Sequence, residues 1–328
     1  MKLLLIMPKF FDYPELIIEE LNRMGYEVDF FDDRPSTDAW VKAAIRINKN
    51  LIYIYIKKYF DKVMKTVSSK NYDVVLLISG QSLSFSEEMI ARIRECQRQA
   101  KFVLYQWDSQ INFPYIKKIQ HFFDKCYSFD RSDVETTPSL NFLPLFYSRT
   151  YEELGKKNNK DFKYDFCFIG TAHPQKYKFI NTMSRQLKGV YPKQFIYYYF
   201  PSPIVYLYRK IMNKELKKAK FSEFHFKAIK GKEMNDIYES SRCVLDSAQS
   251  GQQGLTIRVL EALGARKKLI TTNKDIVNYD FYRPENIYLY DGRFDLDSVF
   301  FKEAYKDVSK EVYKKYSLRN WLKEIVEE

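Results

Sequence analysis

Glycine is scarce in this chain, ten residues in 328. A nicotinamide-dependent fold needs a G-x-G-x-x-G turn after its first strand, and no such turn follows an expected first strand here. Gly170 stands alone in that position, which weakens a nicotinamide-dependent reading. Cysteine is thin as well. Cys96, Cys126, Cys167 and Cys243 are far apart and form no C-x-x-C pair, so they read as reduced structural thiols of a cytoplasmic protein. No run of eighteen apolar residues occurs, which excludes a membrane-spanning helix. The apolar stretch Leu3 to Met7 is too short for an export signal and meets Asp12 and Glu15 at once. The expected location is the cytoplasm, with contact to the inner face of the membrane allowed.

What is present is globular: 45% hydrophobic and 29% charged residues, in a length that suits two domains. The net charge of +12 suits phosphate-bearing substrates, an anionic membrane or a nucleic acid. No nucleic-acid motif accompanies it, so nucleic acid is not expected.

Buried apolar runs too short for helices mark strands at Leu3 to Met7, Val28 to Phe31, Asp73 to Ile78, Phe102 to Tyr105 and Lys125 to Ser128. Helical spacing separates them, closed in the first case by Gly25. A second series starts at Tyr164 to Gly170 and continues through Phe195 to Phe200, Cys243 to Leu245, Lys268 to Thr272 and Ile287 to Tyr290. Its helices are expected near Pro174 to Gly189, Pro203 to Ala219, Gly231 to Ser240, 255–265 and Leu296 to Glu328. Between Tyr151 and Lys163 the apolar periodicity stops. The expected division is therefore residues 1–150, a linker at 151–163, and 164–300, with 301–328 packing back on the first domain. Alternation of strand and helix predicts α/β architecture with two Rossmann-like, doubly wound parallel sheets.

In such sheets ligands bind beyond the carboxyl ends of the strands. The richest loop there runs from Ser250 through Gly251, Gln252, Gln253 and Gly254 into Leu255, Thr256, Ile257 and Arg258. A glycine-bracketed turn before a helix presents free N–H groups and the positive end of the helix dipole, which suits a diphosphate. Arg258 adds a charge-assisted donor, and Glu261 can accept from a ribose diol. A capped helix with an exposed Arg–Glu pair is the competing reading. After the strand ending at Gly170 come Thr171, Ala172, His173, Pro174, Gln175 and Lys176. Small residues there admit a ligand, Lys176 or Lys178 neutralises phosphate, and His173 polarises a sugar hydroxyl or leaving phosphate or simply caps the helix. Lys227 and Lys230 are further phosphate candidates, or solvated charges. In the first half, Trp107-Asp108-Ser109 follows a strand, so Asp108 is a general-base candidate or a helix cap. Ser79-Gly80-Gln81 and the loop Pro8 to Tyr13, with Asp12, share that rim. Asp32-Asp33-Arg34 reads as a turn, and no metal site is expected. The 195–220 stretch mixes aromatic and apolar residues with six Lys or Arg and one acid, Glu215. It reads as an anionic-membrane contact or as core aromatics with a solvated basic face.

"GLTIRVLEALGARKKLITTN" (Gly254 to Asn273) resembles the donor-binding segment of GT-B glycosyltransferases. Pro8 to Ile17, Tyr105 to Ser109 and Tyr164 to Ile180 resemble the same group, bacterial lipopolysaccharide core or capsule proteins related to the spore-coat CgeB-like transferases. The resemblance implies two domains facing a cleft and a sugar-nucleotide donor, UDP- or GDP-linked, with no further cofactor and no metal. It also implies a glycan or lipid-linked acceptor for cell-surface polysaccharide synthesis. Glu261 matches the glutamate that holds the donor ribose. Gln253 stands where many retaining members carry a second glutamate eight residues earlier, which leaves retention or inversion open. A nucleotide-sugar-binding protein without catalysis is the alternative that this departure keeps.

Overall fold

The computed structural model describes residues 1–35, 53–79, 85–157, 161–248, 251 and 253–327. Two compact units emerge, Met1–Pro144 with Trp321–Glu328, and Leu145–Asn320.

The first unit is a parallel sheet of β1 (Lys2–Met7), β2 (Glu27–Asp32), β3 (Val74–Ser79), β4 (Lys101–Gln106), β5 (Lys125–Ser128) and β6 (Leu140–Phe142). Its order is β2-β1-β3-β4-β5-β6. Every residue of β3 is buried, as expected of a strand covered on both faces. Helices α1 (Tyr13–Arg23), α2 (Tyr53–Val67), α3 (Glu87–Cys96), α4 (Ile116–Ile119) and α5 (Arg131–Thr136) connect the strands. Ile56, Phe60, Val63 and Val67 give α2 its buried stripe. The last residues of the chain belong here too. Trp321 packs edge-on against Tyr105, centroids 4.6 Å apart, and the Tyr127 hydroxyl donates to the Glu324 carbonyl at 3.1 Å.

The second unit opens with α6 (Arg149–Lys156), which runs into the first half of the 151–163 stretch expected as a linker. Only Tyr151 and Leu154 supply its apolar face, too few to read as periodicity. What holds this helix is close backbone approach, since a Cβ on Gly155 would strike the Gly264 carbonyl. Then follow β7 (Tyr164–Thr171), α7 (Pro174–Leu187), β8 (Gln194–Tyr199), α8 (Pro203–Met212), β9 (Phe224–His225), α9 (Gly231–Glu239), β10 (Ser241–Leu245), α10 (Ile257–Gly264), β11 (Lys268–Thr271) and β12 (Ile287–Leu289). This sheet is also parallel, ordered β12-β11-β10-β7-β8-β9. The order reverses between β7 and β10, the topological switch point where doubly wound sheets open a crevice.

The expected helix Pro203 to Ala219 stops at Met212, because Asn213 turns to extended φ/ψ and its side chain takes the Arg209 carbonyl at 2.7 Å. The closing helices expected over Leu296 to Glu328 are α11 (Val299–Lys302), α12 (Lys310–Lys315) and α13 (Leu318–Val326), but of the expected 301–328 segment only the residues from Trp321 on join the first unit. Gly80, Gln81, Ser250, Gln252 and positions 36–52 lie outside the described residues.

Candidate functional site

The switch point of the second unit gathers the best-connected polar groups. β10 ends in Leu245 and delivers Asp246, fully buried, beyond the sheet. Three side chains converge on its carboxylate. Thr256 Oγ1 donates at 2.9 Å and Arg258 Nη1 at 3.1 Å to Oδ1, while Thr271 Oγ1 donates at 3.1 Å to Oδ2. The Asp246 N–H itself continues the ladder to the Ile270 carbonyl. Arg258 Nη2 reaches across to the Ile169 carbonyl at 2.7 Å, near the end of β7, and the guanidinium lies over the Phe168 ring. Burial opposes the charge on Arg258, but Asp246, with Tyr238 and Glu261, more than offsets it and the pKa rises. The cation is therefore permanent and fixed between two strands.

Gly170 is explained by the same arrangement. A Cβ there would stand 2.7 Å from Arg258 Nη2, so the absent side chain makes room for the guanidinium. Thr171 is exposed, and His173 occupies the position just before α7 without a side-chain cap bond. Partial burial, then Arg209 and Lys176, hold the His173 imidazole below its ordinary pKa.

Lys176 sits in the first turn of α7 and makes no hydrogen bond or ion pair among the described residues. Desolvation, then the neighbouring Arg258, bring its ammonium down to about 8, with Asp246 acting the other way. A lysine held in this state is short of an anion.

The turn before α10 is pinned from β11. Asn273 Nδ2 donates to the Gln253 carbonyl at 2.9 Å and the Gly254 carbonyl at 3.2 Å, leaving the Gln253 side chain exposed. Leu255 is buried and locks the turn into the core. Glu261 is placed differently from the expected adjoining surface. It is buried, and the Tyr238 hydroxyl donates to it at 3.3 Å. Lys227 is exposed; its carbonyl accepts from Tyr197 at 2.7 Å. Sequence reasoning brought forward Arg258, Gly170 and Lys176 but missed Asp246, the acid that organises them. A lone carboxylate directly after the buried run Cys243-Val244-Leu245 was the available signal.

A cavity of about 450 Å³ lies at the other end of this sheet, where Arg242 and Lys268 begin β10 and β11. Its lysines are already bonded, Lys267 to the Glu239 carbonyl and Lys268 to those of Phe300 and Glu303.

In the first unit, Asp108 follows β4 and caps no helix among the described residues; the position before α4 is Tyr115. The capping reading falls. Its carboxylate has no donor or cation among the described residues, and burial alone lifts its pKa to about 7. Beside it Trp107 meets Phe10 and Tyr13 edge-on, centroids 6.2 and 6.4 Å apart, and Phe10 and Phe11 are a little under half exposed. Phe11 has φ +50°, an uncommon value for a non-glycine residue. Asp32 accepts from the Lys9 and Arg34 N–H groups, and Asp33 from the Ser79 hydroxyl.

This geometry has solved counterparts. Anabaena HepE in complex with UDP-glucose superposes with TM-score 0.59 at 12% identity, over 100% of this chain and 98% of that one. The lipopolysaccharide outer core galactosyltransferase WaaB gives 0.51 at 12%, over 98% of each chain. The UDP-GlcNAc 2-epimerase of Neisseria meningitidis, bound to UDP-GlcNAc, gives 0.51 at 13%, over 100% and 99%. The fold is GT-B. At these identities the likeness speaks for the GT-B fold alone. No protein-family model matches the sequence, and a search of the curated proteins finds no match.

Proposed function

We propose that the chain is a GT-B glycosyltransferase whose second unit holds a sugar nucleotide, UDP- or GDP-linked, and whose acceptor is a glycan or a lipid-linked sugar. One observation carries the reading: Lys176, desolvated and unpaired among the described residues, beside the fixed cation Arg258 at the switch point. A donor diphosphate supplies the missing anion, and the N-termini of α7 and α10 add N–H groups and dipole. Lys176 and Arg258 then stabilise charge on the departing nucleotide. Thr171, His173 and the turn Gln253 to Thr256 belong to the same proposed site, and Glu261, buried and held by the Tyr238 hydroxyl, would have to turn to reach a ribose. Asp108, titrating near neutrality, takes the proton from the acceptor hydroxyl. Exposed aromatics at Phe10 and Phe11 offer faces for the sugar acceptor.

Thermal shift with UDP, GDP, CDP, CMP, dTDP and NAD tests the donor site, since a ligand at 100 times its Kd adds about 2.7 kcal/mol. Stabilisation by NAD alone, or by no nucleotide, sinks the proposal. Turnover of the stabilising nucleotide's sugars, with and without oligosaccharide, separates transfer from binding without catalysis. Conversion of UDP-GlcNAc to its C2 epimer without sugar transfer would favour epimerase chemistry instead, the activity named for one structural neighbour.

A further inference from the structure

Helix α8 is built backwards for a helix on a soluble protein. Its inward contact is Tyr206, 1% exposed, set among the rings of Phe200, Phe221 and Phe224 at 4.8 to 5.7 Å. The opposite face should be polar. Instead Ile204, Leu207, Tyr208 and Ile211 occupy i, i+3, i+4 and i+7, with Ile204 78% and Ile211 75% exposed and the other two more than half exposed. Met212, at i+8 and 65% exposed, extends this ridge. The apolar stripe is therefore continuous and lies on the side away from the core.

The presentation is firm. Ser202 caps the N-terminus by accepting from the Val205 N–H at 3.3 Å, Asn213 closes the other end, and Lys210 Nζ ties the helix to the Ala219 carbonyl at 2.8 Å. The exposed charge of the segment is mostly positive. Arg209, Lys214, Lys217, Lys218 and Lys220 are exposed in and just after the helix, against the half-buried acids Glu215 and Glu223, the second already taken by the Tyr177 hydroxyl.

We propose that this face of α8 and its flanking cations dock the protein on an anionic lipid surface, the ridge entering the acyl boundary while the cations meet lipid phosphates. Charge selects this occupant. A two-fold contact between copies of the chain would set the same cations against themselves, whereas an apolar stripe rimmed by lysines matches the negative face of a bilayer. The inference stands on the surface of α8 alone and does not rest on the transferase reading.

Flotation of the full chain with phosphatidylcholine vesicles, with and without about 30% phosphatidylglycerol, tests it. Binding is expected to the anionic vesicles, to weaken at high salt, and to be slight on phosphatidylcholine. Each cation adds about fivefold near an anionic surface, so Lys214→Glu, Lys217→Glu and Lys218→Glu together should lower partitioning at least about a hundredfold. Ile204→Ser with Ile211→Ser should lower it about tenfold or more, with an unchanged thermal transition because both side chains are exposed. Failure to bind anionic vesicles overturns the proposal, as does binding that both variants leave intact. Light scattering guards the remaining outcome: if the serine variant converts a dimer to a monomer while vesicle binding is unchanged, the face belongs to a second copy and the lipid assignment is wrong.

Discussion

Replacing Asp108 by Asn should make the protein more stable and less active at once. The carboxylate has no donor among the described residues, and burial alone lifts its pKa to about 7. In the unfolded chain it titrates near 3.9. Between those values the folded state holds a proton that the unfolded state has released, so stability falls as pH rises from about 4 to about 7 and stays lower above that. Each pH unit in the window is worth about 1.4 kcal/mol, an upper bound of roughly 4 kcal/mol in all. Water at the partly exposed edge of the side chain screens some of this, and about 2 kcal/mol is the expected share.

An amide in place of this carboxylate has the same shape and no charge to desolvate, so Asp108→Asn should gain those 2 kcal/mol at pH 8 and almost nothing at pH 4.5. In scanning fluorimetry that is a Tm increase of roughly 4–8 °C at the higher pH. Transfer, followed as nucleotide release with acceptor present, should drop by about 10² or more, the usual worth of a general base. The wild-type kcat/KM should rise with pH, half-maximal near 7 and level above about 8, a limb the variant lacks. A Tm gain equal at both pH values, or a loss at pH 8, refutes the desolvated carboxylate. Full transfer activity in the stabilised variant refutes its role as base.

Four further outcomes follow from the second unit. Since Lys176 titrates near 8 and a bound diphosphate should raise that value, UDP binding at pH 8.5 should take up protons, and its Kd should weaken by up to tenfold per unit as pH rises above 8; calorimetry in two buffers of different ionisation enthalpy reads both. Arg258→Ala leaves Asp246 as a buried charge without its cation, so we expect about 3 kcal/mol or more of destabilisation, whereas Lys176→Met should keep or raise the Tm while losing UDP binding. UMP, with one phosphate fewer, should bind at least about tenfold more weakly than UDP in a titration that leaves Lys176→Met nearly indifferent to the difference. Gly264→Ala should cost about 1–3 kcal/mol in a denaturant melt, because the added methyl enters the ring of the buried Tyr147.

The sheets were legible because buried parallel strands are written as unbroken apolar runs, and β1, β3, β7 and β10 each show one. What escaped was built from contacts between distant positions. Helix α6 owes its place to a glycine meeting another glycine 109 residues later in the chain, Gly155 against Gly264, and no local pattern encodes that. Strands β6 and β9 have three and two residues and are set by the neighbours they pair with. At the site, the glycine turn and Arg258 stood out in the sequence. Asp246 did not, since its meaning comes from Thr256, Arg258 and Thr271 folding back onto it. Glu261 was read for the surface because it follows Arg258 by three residues. The side chain instead turns inward to Tyr238.

Asp246 also changes what Arg258 can contribute. Counted alone, an arginine at a helix start offers a full positive charge to a phosphate. Paired at 3.1 Å with a fully buried carboxylate it offers almost no net charge, and its value becomes directional, a guanidinium held in one orientation between the ends of β7 and β10. Net charge for a ligand must then come from elsewhere. Lys176 supplies one unit when protonated, and the N-termini of α7 and α10 supply about half a unit each. The sum, about +2, matches a nucleoside diphosphate sugar, whose two bridging phosphates carry one charge apiece. It exceeds what a monophosphate ester of a sugar nucleotide requires. Division of labour follows from this: Arg258 and Asp246 set where the phosphates lie, and Lys176, the cation poised to change its protonation, sets how tightly and at which pH they stay.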